Sequence, residues 1–259
     1  MHRIAFALLL ACSAPVAFAQ AQKAPAPAYE PSVGQEGKDV VWVPTPQALV
    51  DKMLDMARMT PSDFVMDLGS GDGRTVITAA KRGARALGVE YNPDMVELSR
   101  RNAEKEGVAA RATFVKADLF KTDFSKATVI TMFLLPDINL KLRPKILRLK
   151  PGTRVVSNSF TMGDWKADEI FTLDSDACGS SSWCTAHLWI VPARAAGSYK
   201  LPQGDLVLKQ SFQKLSGTLR ADGKTYALRG KVNGEEVTFK AGGKDYRGRV
   251  SKGKVVELK

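Results

Sequence analysis

The chain has 259 residues, 44% of them hydrophobic, and a formal charge of +11. That length accommodates one large domain or a medium one with a small companion, and the apolar fraction excludes global disorder. The charge is uneven: from Ala196 onward 14 Lys and Arg face six Asp and Glu, so this tail carries +8 of the total. It points either to an acidic partner or to a sheet face kept soluble by lysine.

The first stretch reads as lying outside the fold. Residues 1–19 have a basic start at Arg3, an apolar run and small residues at Ala17 and Ala19, which is a secretory signal pattern. Export to a periplasm is the expectation, with a membrane-anchored chain as the alternative. The apolar run is short for a span, and Ser13 and Pro15 interrupt it. Residues 20–39 are rich in Ala, Pro and Gly without periodicity, as in a linker.

From residue 40 to 195 strands and helices alternate. "TPQALVDKMLDMARM" has helical spacing, "DFVMDLG" is a short buried strand, and "RTVITAAKRG" is a helix closed by Gly83. "ALGVEYN" is a second strand and "PDMVELSRRNAEKEG" a helix opened by Pro and closed by Gly. "ATFVKADLF" and "ATVITMFLL" are strands, followed by a helical stretch containing Pro144 and a fifth strand, "TRVVSNSF". "DEIFTLD" and "TAHLWIVPA" have no helix pattern between them and predict an antiparallel edge pair. The fold class is α/β: a doubly wound, mostly parallel sheet with helices on both faces. Cys178 and Cys184, six apart in "CGSSSWC", suit a disulfide in an oxidising compartment; His187 alone makes no metal site. Residues 196–259 switch to alternation of period two with an Asn233–Gly234 turn. They predict a small C-terminal antiparallel β module of about five strands.

The chemistry concentrates in "DLGSGDGR", residues 67–74, between the first strand and its helix. Ligands of doubly wound sheets sit there, outside the strands' carboxyl ends. A dinucleotide loop reads G-x-G-x-x-G and presents amides to a pyrophosphate. Here the spacing is Gly69-x-Gly71-x-Gly73, with Asp67 before the loop and Asp72 inside it, and carboxylates repel a pyrophosphate. They attract an ammonium. S-adenosylmethionine (SAM) carries an ammonium and a sulfonium and no phosphate. Glu90, at the end of the second strand, is placed to accept hydrogen bonds from ribose hydroxyls, and Asp118, at the end of the third, to meet the adenine edge.

"DLGSGDGR", "GVEYNP" and "ADLF" resemble the motifs of class I SAM-dependent methyltransferases. "VPTPQ", "LGSGDGRTVITAAK", "FLLPDINLKLRPKILRLKPGTRVVSNSF" and "MGDW" extend the likeness to one subgroup. These are the seven-β-strand protein-lysine methyltransferases related to the mitochondrial enzymes that modify the adenine-nucleotide translocase and the ATP-synthase c-subunit. The resemblance covers roughly residues 40–195 and not the tail. It implies a Rossmann-like seven-stranded sheet in the order 3-2-1-4-5-7-6 with the seventh strand antiparallel. It also implies SAM as cofactor, held by Asp67, Gly69, Ser70, Gly71, Gly73, Glu90, Asn92, Asp118 and Leu119, with Thr45 covering it from the N-terminal side. The acceptor is implied to arrive beside Phe133, Leu134, Leu135 and Pro136. "FLLPD" differs from the [ND]-P-P-[YF] motif that grips planar amides and amines, and suits an extended amine. Asp137 is the candidate acid for taking the lysine proton, with a helix N-cap as its plain structural role. Phe160 and Trp165 are candidate walls of a lysine channel.

The expected partner is a protein lysine, with an anionic envelope surface as a possible second partner through the basic module. No strong nucleic-acid signal is present, and a monomer is expected. Because SAM is made in the cytosol and the chain carries an export signal, a second function stands beside the enzyme: an exported non-catalytic binding protein built on a methyltransferase-like scaffold. A nucleotide-dependent oxidoreductase is disfavoured by Asp67 and the glycine spacing.

Overall fold

A computed structural model describes residues 29–179 and 181–259. The predicted signal with Cys12, and residues 20–28 of the linker, lie outside the described residues.

The larger unit runs α1 (Gln47–Met56), β1 (Phe64–Leu68), α2 (Arg74–Lys81), β2 (Arg85–Glu90), α3 (Pro93–Lys105), β3 (Ala112–Lys116), β4 (Val129–Met132), α4 (Pro136–Ile146), β5 (Arg154–Asn158), β6 (Glu169–Thr172), the single turn α5 (Ser175–Cys178) and β7 (Thr185–Ile190). Its sheet has the order β3-β2-β1-β4-β5-β7-β6. β1 pairs in parallel with β2 and β4, whereas β7 lies antiparallel between β5 and β6. β1 and β4 are buried on both faces, and β1 is the middle strand of the parallel part. The apolar stripe of α1 (Leu49, Val50, Met53, Leu54) packs with Val76 and Ala79 of α2 on one face. The other face is covered by Ile138, Leu142 and Ile146 of α4 together with Trp165 and Trp189. Trp165 is fully buried, and its carbonyl accepts a hydrogen bond from the Trp189 indole at 2.8 Å. It is therefore a core residue and walls no channel.

The second unit is β8 (Gly197–Leu201), β9 (Gly204–Ser211), β10 (Lys214–Ala221), β11 (Lys224–Asn233), β12 (Glu236–Ala241), β13 (Lys244–Ser251) and β14 (Lys254–Val256). They form an antiparallel seven-stranded meander, two strands more than the sequence predicts. The turns Asp222–Gly223, Gly242–Gly243 and Lys252–Gly253 hold positive φ at both residues, the geometry of a two-residue hairpin loop. Leu206, Leu208, Leu215, Leu219, Leu228 and Val237 fill its own core.

The meander is docked on the first unit through its turns. Phe212, between β9 and β10, stacks on Trp165 with centroids 6.0 Å apart, and the Arg143 guanidinium lies over the same ring at 5.3 Å. The buried Gln213 side chain donates to the Lys166 carbonyl at 2.7 Å and to Asp168 at 3.2 Å, and the Ala193 amide donates to the Gly234 carbonyl at 2.7 Å. Phe212→Ala removes the ring while keeping both cores. It is expected to cost about 1–3 kcal/mol and to split one calorimetric unfolding transition into two.

Candidate active site

The site grows from β1. Its end lies between β2 and β4, so the loop that follows sits over the middle of the parallel strands. Gly69, Gly71 and Gly73 all have positive φ, at 80°, 54° and 83°, a region that side chains avoid. Space forbids a side chain as well: a Cβ on Gly71 would lie 2.7 Å from the Trp42 indole nitrogen, and one on Gly73 2.7 Å from the Phe114 ring. The loop is tied down by Gly69 and Ser70 amides donating to the Val89 carbonyl, by Ser99 Oγ donating to the Gly71 carbonyl and by Asn102 donating to that of Asp72.

Beside this loop lies a cavity of about 510 Å³, within the range of small-molecule sites. Of the residues singled out in the sequence, Asp67, Gly69, Ser70, Gly71, Glu90, Asn92, Asp118, Leu119, Thr45 and Phe133 line it. Gly73 does not. It stands behind the loop as the residue that opens α2, packed on Phe114 and Ser99. Pro136 and Asp137 do not line it either. They are exposed at the first turn of α4, where Asp137 complements the helix dipole. Phe160, Leu134 and Leu135 do line it.

Four acids, Asp67, Asp72, Glu90 and Asp118, shape its electrostatics. Asp67 is buried and accepts a hydrogen bond from Thr131 Oγ1 at 2.7 Å. Burial pushes its carboxyl up to about 7; the Thr131 hydroxyl opposes this, and the Asp72 and Glu90 carboxylates add repulsion. Asp72 is less of a free charge than the sequence implies, because Arg74 binds it through Nε and Nη2 at 2.5–3.1 Å. Attraction for a cation at this end of the cavity therefore falls to Asp67. Glu90 accepts from the amides of Gly71, Tyr91 and Asn92 at 3.0, 2.8 and 2.9 Å. Three of its roughly four lone-pair positions are filled, with one left on Oε2. Asp118 holds the Lys38 ammonium at 2.9 Å and the Phe120 amide; the Lys38 hydrogen bond keeps its carboxyl below the usual range.

Lys38 belongs to the site although nothing in its sequence context signals it. Residues 35–39, which read as linker, line the cavity together with residues 40–45. This strap is pinned by Lys38 to Asp118, by Trp42 on Gly71, by Arg74 donating to the Thr45 carbonyl at 2.8 Å, and by Asn158 donating to Thr45 Oγ1 at 3.2 Å. Tyr91, Trp42 and Trp183 complete the lining. Cys178 and Cys184 are joined by a disulfide, and among the described residues no cluster of metal ligands occurs.

The residues fit a cationic methyl donor. Fold, glycine loop and the acids at three successive strand ends define a class I SAM-dependent methyltransferase. A family model described as the ANTKMT methyltransferase domain matches residues 67–169. A protein-lysine N-methyltransferase of Saccharolobus islandicus is 46% identical over 138 residues, covering 52% of this chain and 86% of the relative. An adenine nucleotide translocase lysine N-methyltransferase of Mus musculus is 37% identical over 119 residues, 45% of this chain and 52% of the relative. A solved structure described as an RNA methyltransferase from Salinibacter ruber in complex with S-adenosyl-L-homocysteine is 46% identical. It covers 58% of this chain and 94% of that chain, with a TM-score of 0.53. The chain belongs to this methyltransferase family. Each of these relatives is named for methyl transfer, which lends no support to a non-catalytic scaffold.

The Asp67 carboxyl makes a stability prediction. Its pKa is raised in the folded chain, so its contribution is fully present below the unfolded value near 4 and is lost as pH rises through about 7. Asp67→Asn is expected to remove that loss. Chemical denaturation of ligand-free protein should show the variant gaining on the parent between pH 4 and 7, levelling off above 7 at about 1–3 kcal/mol.

Proposed function

We propose that the chain transfers a methyl group from SAM to the side-chain amine of a protein lysine. The observation that carries the reading is the buried Asp67 carboxyl, which no Lys or Arg of the described residues pairs, beside the glycine loop of a cavity whose other end is apolar. SAM, when bound, supplies a methyl group on a sulfonium, already a good leaving group, so positioning and exclusion of water do most of the work. Asp67 and the amides of the loop hold the charged amino-acid end, Glu90 and Asn92 the ribose side, and Asp118 with Leu119 the base. The strap from residue 35 to 45 shields the donor from water. At the other end Phe133, Leu135 and Phe160 offer an apolar approach, in which a lysine ammonium loses its proton more readily.

The relatives' names support a lysine acceptor, and one similar structure is described as an RNA methyltransferase; the assay therefore offers both substrates. Calorimetry should show binding of SAM and none of NAD. Glu90→Ala should weaken SAM by about 10- to 100-fold. Radiolabelled methyl transfer to lysine-containing protein, with none to RNA, is the expected result, and transfer to RNA alone would refute the lysine acceptor.

We further infer an exported, monomeric enzyme whose basic meander contacts an anionic envelope surface. The leader at residues 1–19 and the Cys178–Cys184 disulfide support an oxidising compartment. Fractionation that places the mature chain in the cytosol would refute export, and recovery only with membranes would indicate an anchor. On the meander, register sets Lys214, Lys231, Thr238 and Arg247 side by side, with Lys259 bonded to Arg247 through the backbone. Like charges directly opposite destabilise a sheet, so Lys214 facing Lys231 supports a partner that offsets the repulsion. Lys214→Glu with Lys231→Glu should abolish salt-sensitive binding to phosphatidylglycerol vesicles while leaving SAM affinity unchanged. Equal binding by parent and variant would exclude this face.

A further inference from the structure

The cavity's far end is built from three aromatic rings of three separate segments. Phe133 directly follows β4. Phe160 follows β5 after Ser159, which holds a left-handed φ of 56°. Such strain persists only where its surroundings hold it. The Ser159 amide donates to the Thr185 carbonyl at 2.6 Å, its hydroxyl donates to Asn158 at 2.8 Å, and the buried Asn139 donates to the Phe160 carbonyl at 3.3 Å. Trp183 comes from the opposite chain direction. Because β7 is antiparallel to β5, its beginning lies where β4 and β5 end. Centroid separations are 5.9 Å for Phe133–Phe160, 6.2 Å for Phe133–Trp183 and 5.2 Å for Phe160–Trp183.

Trp183 differs from its two companions. It is 39% exposed although it lines the cavity, and it belongs to the short segment that the Cys178–Cys184 bridge closes. Its amide donates to Ser181 Oγ at 3.1 Å, and the Leu173 amide donates to the Cys184 carbonyl at 2.9 Å. The covalent bridge therefore closes the segment that carries this third wall of the aromatic end.

We propose that Trp183 is an acceptor-positioning residue held in place by the Cys178–Cys184 disulfide, a proposal that rests on the amine-acceptor reading above. Aromatic rings attract an alkylammonium through their quadrupoles as it sheds water, and all three of these rings line the cavity. Reduction by a dithiol transfers two electrons and two protons to the bridge, yields two thiols and oxidises the reagent to its own disulfide. It frees the segment and loosens the acceptor end without touching Asp67, Glu90 or Asp118.

The test needs no turnover. Full-length mature protein saturated with S-adenosylhomocysteine is titrated with n-butyltrimethylammonium, followed by calorimetry, in the oxidised form and after dithiothreitol. The expected result is binding to the oxidised parent, weakened about five- to twentyfold in Trp183→Ala, in Cys178→Ser with Cys184→Ser, and in the reduced parent. Trp183→Phe should restore most of it, the reagent should not affect the double-serine variant further, and S-adenosylhomocysteine affinity should stay within twofold throughout. Unchanged alkylammonium binding in Trp183→Ala would overturn the proposal, and so would equal losses of donor and alkylammonium binding, or no binding to the parent. A lysine methylation assay on the same samples judges the amine-acceptor reading separately: methylation that persists with an unchanged KM in Trp183→Ala would sink the proposal and leave that reading standing.

Discussion

The site depends on one costly burial. Asp67 is the next-to-last residue of the middle strand of the parallel array, with paired strands on either side. Its carboxyl is shut from water and served by the Thr131 hydroxyl. A carboxyl so placed stays protonated near neutral pH unless a cation arrives. The surrounding arrangement sharpens that demand. Arg74, the cation of the loop itself, is engaged by Asp72 and by the strap's carbonyl. The donor's charge is then the compensation that the folded chain lacks, and binding energy flows from a strain that folding has already accepted.

The acceptor end follows from topology rather than from charge. Parallel strands all deliver their carboxyl ends to one edge. Because β7 is antiparallel, it begins at that edge, and the loop before it brings Trp183 to the cavity. That loop is short of sheet contacts, and the disulfide supplies a restraint in their place.

Features with a local cause are legible in the sequence. Glycines at alternate positions after an apolar run, an acid just before them and acids at the next two strand ends each express a constraint acting over a few residues, and Asp67, Gly69, Gly71, Glu90 and Asp118 all stand around the loop. Contacts across sequence distance are not legible. Lys38 meets Asp118 eighty positions away, and no period in an Ala/Pro/Gly stretch announces it. Asp72 reads as a second free carboxylate because a pair two residues apart forms only in a turn of this shape. Asp137 reads as catalytic because it follows the acceptor motif, yet the helix that starts there turns it to solvent. The meander reads two strands short because two-residue turns such as Asp222–Gly223 interrupt the alternation only briefly.

Charge segregation ties the two units together. The chain is strongly basic overall, and a uniform positive field would repel both a sulfonium donor and a lysine acceptor. The excess, however, sits on the meander, which meets the catalytic unit through its turns while its cations stand on the exposed positions of its strands. Over about 8–10 Å of physiological salt those exposed charges are largely screened, whereas a desolvated carboxylate acts at full strength on a ligand in contact with it. The proposed reading thus requires no compromise between the units: the cavity selects cations at short range through burial, and the meander meets anions through exposed rows of lysine and arginine. The docking turns meet the catalytic unit through aromatic, amide and backbone groups, with Arg143 paired to Asp164, and none of these residues lines the cavity.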